Sequence, residues 1–271
     1  MAESIFIADG ECFLPSEQAR GPWDPQALHG GAPAALIVSA FERMLADSAP
    51  DGAELRIGRL SFEFLRPIPL APLTLSTQVV RPGRRVRELA AELLADEQTI
   101  VRASALSVAA VPEQTAAAAP GAQLANHVAA MEPASSGKPI RFALDGGKEA
   151  SFAGTAMEMR WLSDPKVLGP GRVWMRLRHP LLPGETTSPL ARLAATADFG
   201  NGISATLPFD RFVFINADLT VHLQRAPSGE WIGLDACTVL HDGGVATAES
   251  VLHDQHGPLG RAFQTLVVQQ R

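Results

Sequence analysis

Two stretches of this chain read alike, and a chain written twice has few ways to fold. Leu60 to Pro67 reads LSFEFLRP and Ile215 to Pro227 reads INADLTVHLQRAP, each an apolar strand closing on arginine and then proline. Leu60, Phe62 and Phe64 share one face of the first copy. Ile215, Leu219, Val221 and Leu223 share one face of the second, which is the period of a half-buried strand. Three more strand-like runs follow each copy: Leu73 to Val80, Arg87 to Ala95 and Thr99 to Ala109, then Trp231 to Leu240, Ala246 to Asp254 and Arg261 to Val268. One apolar helix precedes each. Between Pro33 and Asp47, Ile37, Phe41, Met44 and Leu45 recur at helical spacing, with Glu42, Arg43 and Asp47 opposite. The second helix runs from Pro189 to Phe199, with Ser188 as N-cap, Pro189 in the first turn and Gly200 as the stop. A helix and four antiparallel strands, repeated, make an α+β fold in which a sheet wraps around a helix, twice.

The repeat divides the 271 residues into two units, 1–112 and 150–271. Between them, 113–149 has the texture AAAAPGAQLANH and EPASSGKP without any period, which reads as a linker. Ile5 to Leu14 is a short hairpin turning at Asp9-Gly10, and the second unit opens on an edge strand, MEMRW, within Ser151 to Leu162. A net charge of −6 gives no reason to expect nucleic acid or a membrane surface as partner. Cys12 and Cys237 lie in different halves with no CxxC around either, so reduced thiols are expected. The opening MAESIFIADGECF lacks the pattern of a signal peptide, and no run approaches the ~20 apolar residues of a membrane span. A soluble, cytoplasmic protein is the expectation.

Candidate site residues come from four places. GPWDPQALHGGAP carries Trp23, His29, Gly30 and Gly31 just before the first helix, where backbone N–H groups can approach a ligand and the helix end favours negative charge. The alternatives are that the glycines only permit a tight entry and that His29 is a capping or solvent-facing residue. RPGRRVRE concentrates four arginines, Arg84 among them, at a hairpin turn; it is either a solvated turn or a phosphate-gripping patch. Asp198 falls on the flank of the second helix's apolar side, where partial desolvation suits a base for water. Gln264 is a lone amide on the apolar face of the last strand and must find partners there. Asn216, Asp218, Thr220 and His222 form the alternate face of the strand from Ile215; they face solvent or another sheet, or meet Asp198 and Gln264 across it. No HxH, HExxH, GxSxG or GxGxxG occurs, so a metal site, a serine-hydrolase elbow and a dinucleotide cradle lack support, and no cofactor is expected.

Together GPWDPQALHGG, LSFEFLRPIPLAPL, VVRPGRRVRELAAELL and ADLTVHLQRAP resemble the acyl-CoA thioesterase II group, the double-hotdog thioesterases. The resemblance covers nearly the whole chain apart from the linker. It implies two hotdog units in tandem, their sheets joined edge to edge, and hydrolysis of a medium or long apolar acyl-CoA to free acid and CoA. It further implies a water held by an Asp on the second helix, a Thr or Ser on the following strand and a Gln in the last strand. Asp198 and Gln264 match the outer two. The middle position falls on Asn216 when the strand is anchored on Asp218, with Thr220 the nearest hydroxyl. The first unit shows no carboxylate equivalent to Asp198 and is expected to serve as wall and dimer surface in a homodimer. Two other readings share the fold: a hydratase or dehydratase using an Asp–His pair, with His222 and His241 available, and a non-catalytic acyl-binding protein.

Overall fold

The structure, a computed structural model, describes residues 3–48, 55–110, 128–141 and 150–271. Of the expected linker, 113–127 and 142–149 lie outside the described residues.

The first half runs through a hairpin, β1 (Phe6–Asp9) and β2 (Cys12–Pro15), then helix α1 (Gly31–Ser48) and four strands: β3 (Leu55–Phe64), β4 (Leu73–Pro82), β5 (Val86–Ala95) and β6 (Gln98–Ala109). The second half repeats the plan. After the two-residue strand β7 (Lys138–Pro139) come β8 (Met157–Trp161) and β9 (Gly171–Leu177), then helix α2 (Pro189–Ala197) and a single turn, α3 (Gly200–Ile203). The strands β10 (Phe212–Asn216), β11 (Asp218–Leu223), β12 (Ile232–His241), β13 (Val245–Asp254) and β14 (Gly257–Gln270) complete it. All fourteen strands among the described residues belong to one antiparallel sheet in the order β1-β2-β4-β5-β6-β3-β11-β14-β13-β12-β9-β8-β7, with β10 also on β14. This is the double hotdog, two helix-wrapping units sharing a sheet.

The halves meet where β3 pairs antiparallel with β11, so a strand is hydrogen-bonded to its own repeat and a local two-fold axis passes through the seam. Ser61 faces Thr220 there, hydroxyl to hydroxyl at 3.4 Å and 159 residues apart in sequence. The irregularities keep that spacing. The register of β3 slips at Gly58, between Ile57 and Arg59, and the second copy breaks at Ala217, between β10 and β11. From Asn216 to Thr220 the chain advances four residues while β14 advances three, from Leu266 to Phe263. That is a β-bulge, and one extra residue exchanges the two faces. The expectation that Ile215 shares a face with Leu219 therefore does not hold: Ile215 is exposed and Phe214 buried before the bulge, while Leu219 and Val221 are buried after it.

Inside the sheet, α1 and α2 pack antiparallel to each other. Ala34, Ala35, Leu36, Ile37 and Val38 are all buried, so the first turns of α1 are enclosed on every side rather than along one stripe: sheet covers one flank and α2 the other. Small residues permit this approach. A Cβ on Gly31 would lie 2.4 Å from the Ala195 carbonyl oxygen, so at that crossing only glycine fits. On the outer face of the second unit, the Trp174 indole N–H donates to the Glu132 carbonyl at 2.7 Å and Arg172 pairs with the Glu132 carboxylate at 3.0 Å, which fastens residues 131–133 across β9. No helix among the described residues is long and apolar enough to cross a membrane.

Candidate active site

Asp198 caps the C-terminus of α2, and the chain restarts at once as α3. The carboxylate is buried, 3% exposed. The negative end of α2 disfavours a carboxylate at this position, but the start of α1 lies beside it and compensates with the opposite end of its dipole. The Asn216 side-chain Nδ2 donates to Asp198 Oδ1 at 2.5 Å. Gln264 Nε2 donates to the same oxygen at 3.3 Å and to the Asp198 carbonyl at 3.1 Å. The bulge at Ala217 is what turns Asn216 inward to make its contact.

An amide can turn either end toward a carboxylate, and only its N–H end attracts one. Asn201, in α3, decides the matter for both amides. Its backbone N–H donates to Gln264 Oε1 at 3.0 Å, and its Nδ2 donates to Asn216 Oδ1 at 2.8 Å. With their oxygens held, both amides present N–H to Asp198. Close approach of α3 to Gln264 requires Gly200, because a Cβ there would stand 2.7 Å from Gln264 Oε1. Asn201 was not singled out in the sequence; in FGNGI it has no periodic signature, and its partners lie 15 and 63 residues away.

The other oxygen of Asp198 meets the first half of the chain. His29 Nδ1 lies 3.0 Å from Oδ2, and its ring stacks on Phe199 with centroids 4.2 Å apart. The Gly31 N–H also points at Nδ1, at 3.1 Å. One ring nitrogen has one in-plane position, so the two contacts exclude each other. A charged Asp198 takes the proton on Nδ1, which leaves the Gly31 N–H without a lone pair to bond. No acceptor among the described residues takes the neighbouring Gly30 N–H. A Cβ on Gly30 would be 2.9 Å from Asp198 Oδ2 and 3.1 Å from the Phe64 ring, so glycine keeps the approach to that oxygen open. Oδ1 has two donors and is saturated, Oδ2 keeps a lone pair beside Gly30, and Asp198 lines a cleft of about 420 Å³. Trp23, Phe64, Ile68, Phe209 and Phe214 form its apolar wall, with Asn216 and Gly30 at the carboxylate end.

Not every candidate residue is at this place. Asp198, Gln264, Asn216, His29, Gly30 and Gly31 converge, and Trp23 lines the cleft with its ring 5.6 Å from that of Phe209. Thr220 sits on the other face of the sheet, at the seam with Ser61, because the bulge separates its face from that of Asn216. Arg84 lies in the β4–β5 turn. Val86 and Arg56 both pair with Val108, which puts that turn beyond the first residues of β3, whereas the cleft opens past its last residue, Phe64. The length of β3 between them is about 30 Å. His222 is exposed on β11 and His241 bonds Thr247; the histidine that meets the carboxylate is His29. No group of three or more His, Cys, Asp or Glu side chains that could hold a metal occurs among the described residues.

Residues 19–108 match the family model of the acyl-CoA thioesterase N-terminal domain, and residues 126–268 match that of the acyl-CoA thioesterase C-terminal domain. No curated protein matches the chain. Among solved structures, one from Novosphingobium aromaticivorans, proposed to be a thioesterase, is 21% identical with a TM-score of 0.68, over 98% of this chain and 99% of that one. The acyl-CoA thioesterase II TesB2 of Mycobacterium marinum is 17% identical with a TM-score of 0.64, over 100% of this chain and 95% of that one. A conserved hot-dog-fold protein of unknown function from Alicyclobacillus acidocaldarius is 17% identical with a TM-score of 0.69, over 98% and 95%. At these identities the structures show a shared fold.

Proposed function

The chain belongs to the acyl-CoA thioesterase family, matched across both of its domains, and from that premise we propose that it hydrolyses an apolar acyl-CoA with Asp198 as the base that activates water. One observation carries the reading: a buried carboxylate whose Oδ1 is held by two amides and which lines an apolar cleft together with Gly30.

The acyl chain lies along Trp23, Phe64 and Phe214, with the thioester carbonyl oxygen at the Gly30 and Gly31 N–H groups. Those donors and the positive end of α1 stabilise the negative charge that develops on that oxygen. A water between the carbonyl carbon and Asp198 Oδ2 gives its proton to Oδ2 as its oxygen bonds to carbon. The tetrahedral intermediate then collapses, the carbon–sulfur bond breaks, and the proton returns from Oδ2 to the departing sulfur. Net, a thioester and water become an acid and a thiol. Gln264 is 2% exposed and its N–H groups are engaged by Asp198; it acts by fixing the base. Asn216 keeps one N–H on the cleft side for the water. The His29 ring holds Oδ2 in place. The test is thiol release from a panel of acyl-CoAs of increasing chain length. Asp198→Asn should lower kcat on the order of 10³-fold; a variant as fast as the parent shows that Asp198 is not the base.

A second reading draws on the same contact. A carboxylate 3.0 Å from a histidine is also the pair that a hydratase uses, and addition of water to an enoyl-CoA without thiol release would establish it in place of the first.

A further inference from the structure

The local two-fold axis at the seam carries the walls of the active-site cleft onto those of a second cleft. Moving 159 residues along the chain takes Phe64 to Leu223 and Pro67 to Ala226; moving back by the same number takes Phe214, Ile215 and Asn216 to Leu55, Arg56 and Ile57. The same step takes His29 and Gly30, before α1, to Ser188 and Pro189, before and at the start of α2. Leu223, Ala226, Leu55, Arg56, Ile57 and Pro189 line one cleft of about 390 Å³ at the opposite end of the helix pair from Asp198. The polar contact is replaced rather than repeated. The step takes Asp198 to Ser39, and where His29 reaches the carboxylate after α2, Ser188 Oγ donates instead to the carboxylate of Glu42, three residues further along α1, at 2.5 Å; Glu42 lines this cleft too.

We propose that this second cleft is a binding site for an apolar chain with an anionic head, the chemistry of the carboxylic acid product, and that it holds such a chain without cleaving anything. The identity of the ligand rests on the thioesterase reading; the existence of the site rests on the duplication. Three replacements remove hydrolysis. Pro189 stands where Gly30 does and has no N–H for a developing oxyanion. Ile57 stands where Asn216 does and has nothing to orient a carboxylate or water. Ser39 stands where Asp198 does, and Glu42, three residues on, is engaged by the N-cap serine of α2, which also accepts the Ala191 N–H at 3.0 Å. The replacements that remain suit an amphiphile: the exposed Ile215 becomes Arg56 at the rim, which has a partner already and whose five N–H donors allow the head group as a second, while Leu45, Leu55 and Leu223 receive the chain. Burial pushes the Glu42 carboxyl upward, against the pull of the Ser188 hydrogen bond.

The test titrates dodecanoate into the full chain by calorimetry, using the Asp198→Asn variant and, separately, the parent. Two molecules per chain are expected. Ala46→Trp and Ala226→Trp each fill the second cleft from an exposed rim position; either should reduce the stoichiometry to one and leave thiol release by the parent within about twofold. One bound molecule per chain, no binding, or two that survive both substitutions overturns the site. Thiol release is read independently: two bound molecules with no hydrolysis of any acyl-CoA would sink the thioesterase reading and leave the second site standing. Hydrolysis with a single dodecanoate would do the reverse.

Discussion

Adjacent glycines at the start of α1 have different reasons to be glycine, and substituting each separates stability from activity. A methyl on Gly31 meets the backbone oxygen of Ala195, which cannot yield without moving α2, so Gly31→Ala should destabilise by about 1–3 kcal/mol, read as a lowered unfolding midpoint. A methyl on Gly30 instead meets Asp198 Oδ2 and the edge of Phe64, which border the cleft. Gly30→Ala should lose at least about tenfold in kcat while its midpoint stays near the parent's; unchanged turnover would remove the Gly30 side from the proposed water path. At this scale the sequence showed which residues were out of keeping with their neighbours: a charge beside an apolar stripe at Asp198, an amide among apolar residues at Gln264. It did not show partners. Asn201 acts through contacts far along the chain, and Glu42 reads as a solvent-facing residue of α1 because what covers it is the tip of α2.

Among elements, the strand of the second copy shows why face-counting alone failed. Period two holds along Phe212–Asn216 and again along Asp218–Leu223, and Ala217 between them carries no side chain that would announce a bulge. Strands and the second helix were legible from their periods because each presents a buried face; the enclosure of α1 on every side and the exchange of faces at the bulge were not, and with the latter went the position of Thr220. The β13–β14 hairpin offers a test of a different kind. His253 is buried with neither ring nitrogen hydrogen-bonded among the described residues, and burial holds its pKa down at about 4. In the unfolded chain it binds a proton near 6.5, so stability should fall as pH drops from about 6.5 to about 4, where only the unfolded state is protonated, and then level off. Burial works against the neighbouring Asp254, but hydrogen bonds from Arg225, the His256 N–H and Ser228 prevail and hold its carboxyl at about 2. Its contribution is complete above the ordinary carboxylate range and disappears as pH falls through about 2. Urea midpoints across this range should show both steps, and His253→Leu should abolish the upper one alone.

For the whole molecule, His29 and Gly30 come from the first half and Asp198, Asn216 and Gln264 from the second, all in one chain. Ile215, Val267 and Val245 form an exposed apolar row across β10, β14 and β13 on the side of the sheet away from the helices, a face open to a second copy of the chain. The site does not need it. Specific activity should stay constant when the protein is diluted through dissociation, followed by light scattering; a fall in step with the loss of dimer would mean that a partner completes the cleft.

The pairing of β3 with β11 also says something about descent. A precursor half as long could own a full reaction centre only by meeting another molecule like itself, at a rate set by its abundance. Joining both halves in one chain removes that dependence, and on the proposed reading it leaves one of two related chambers without the need to do chemistry.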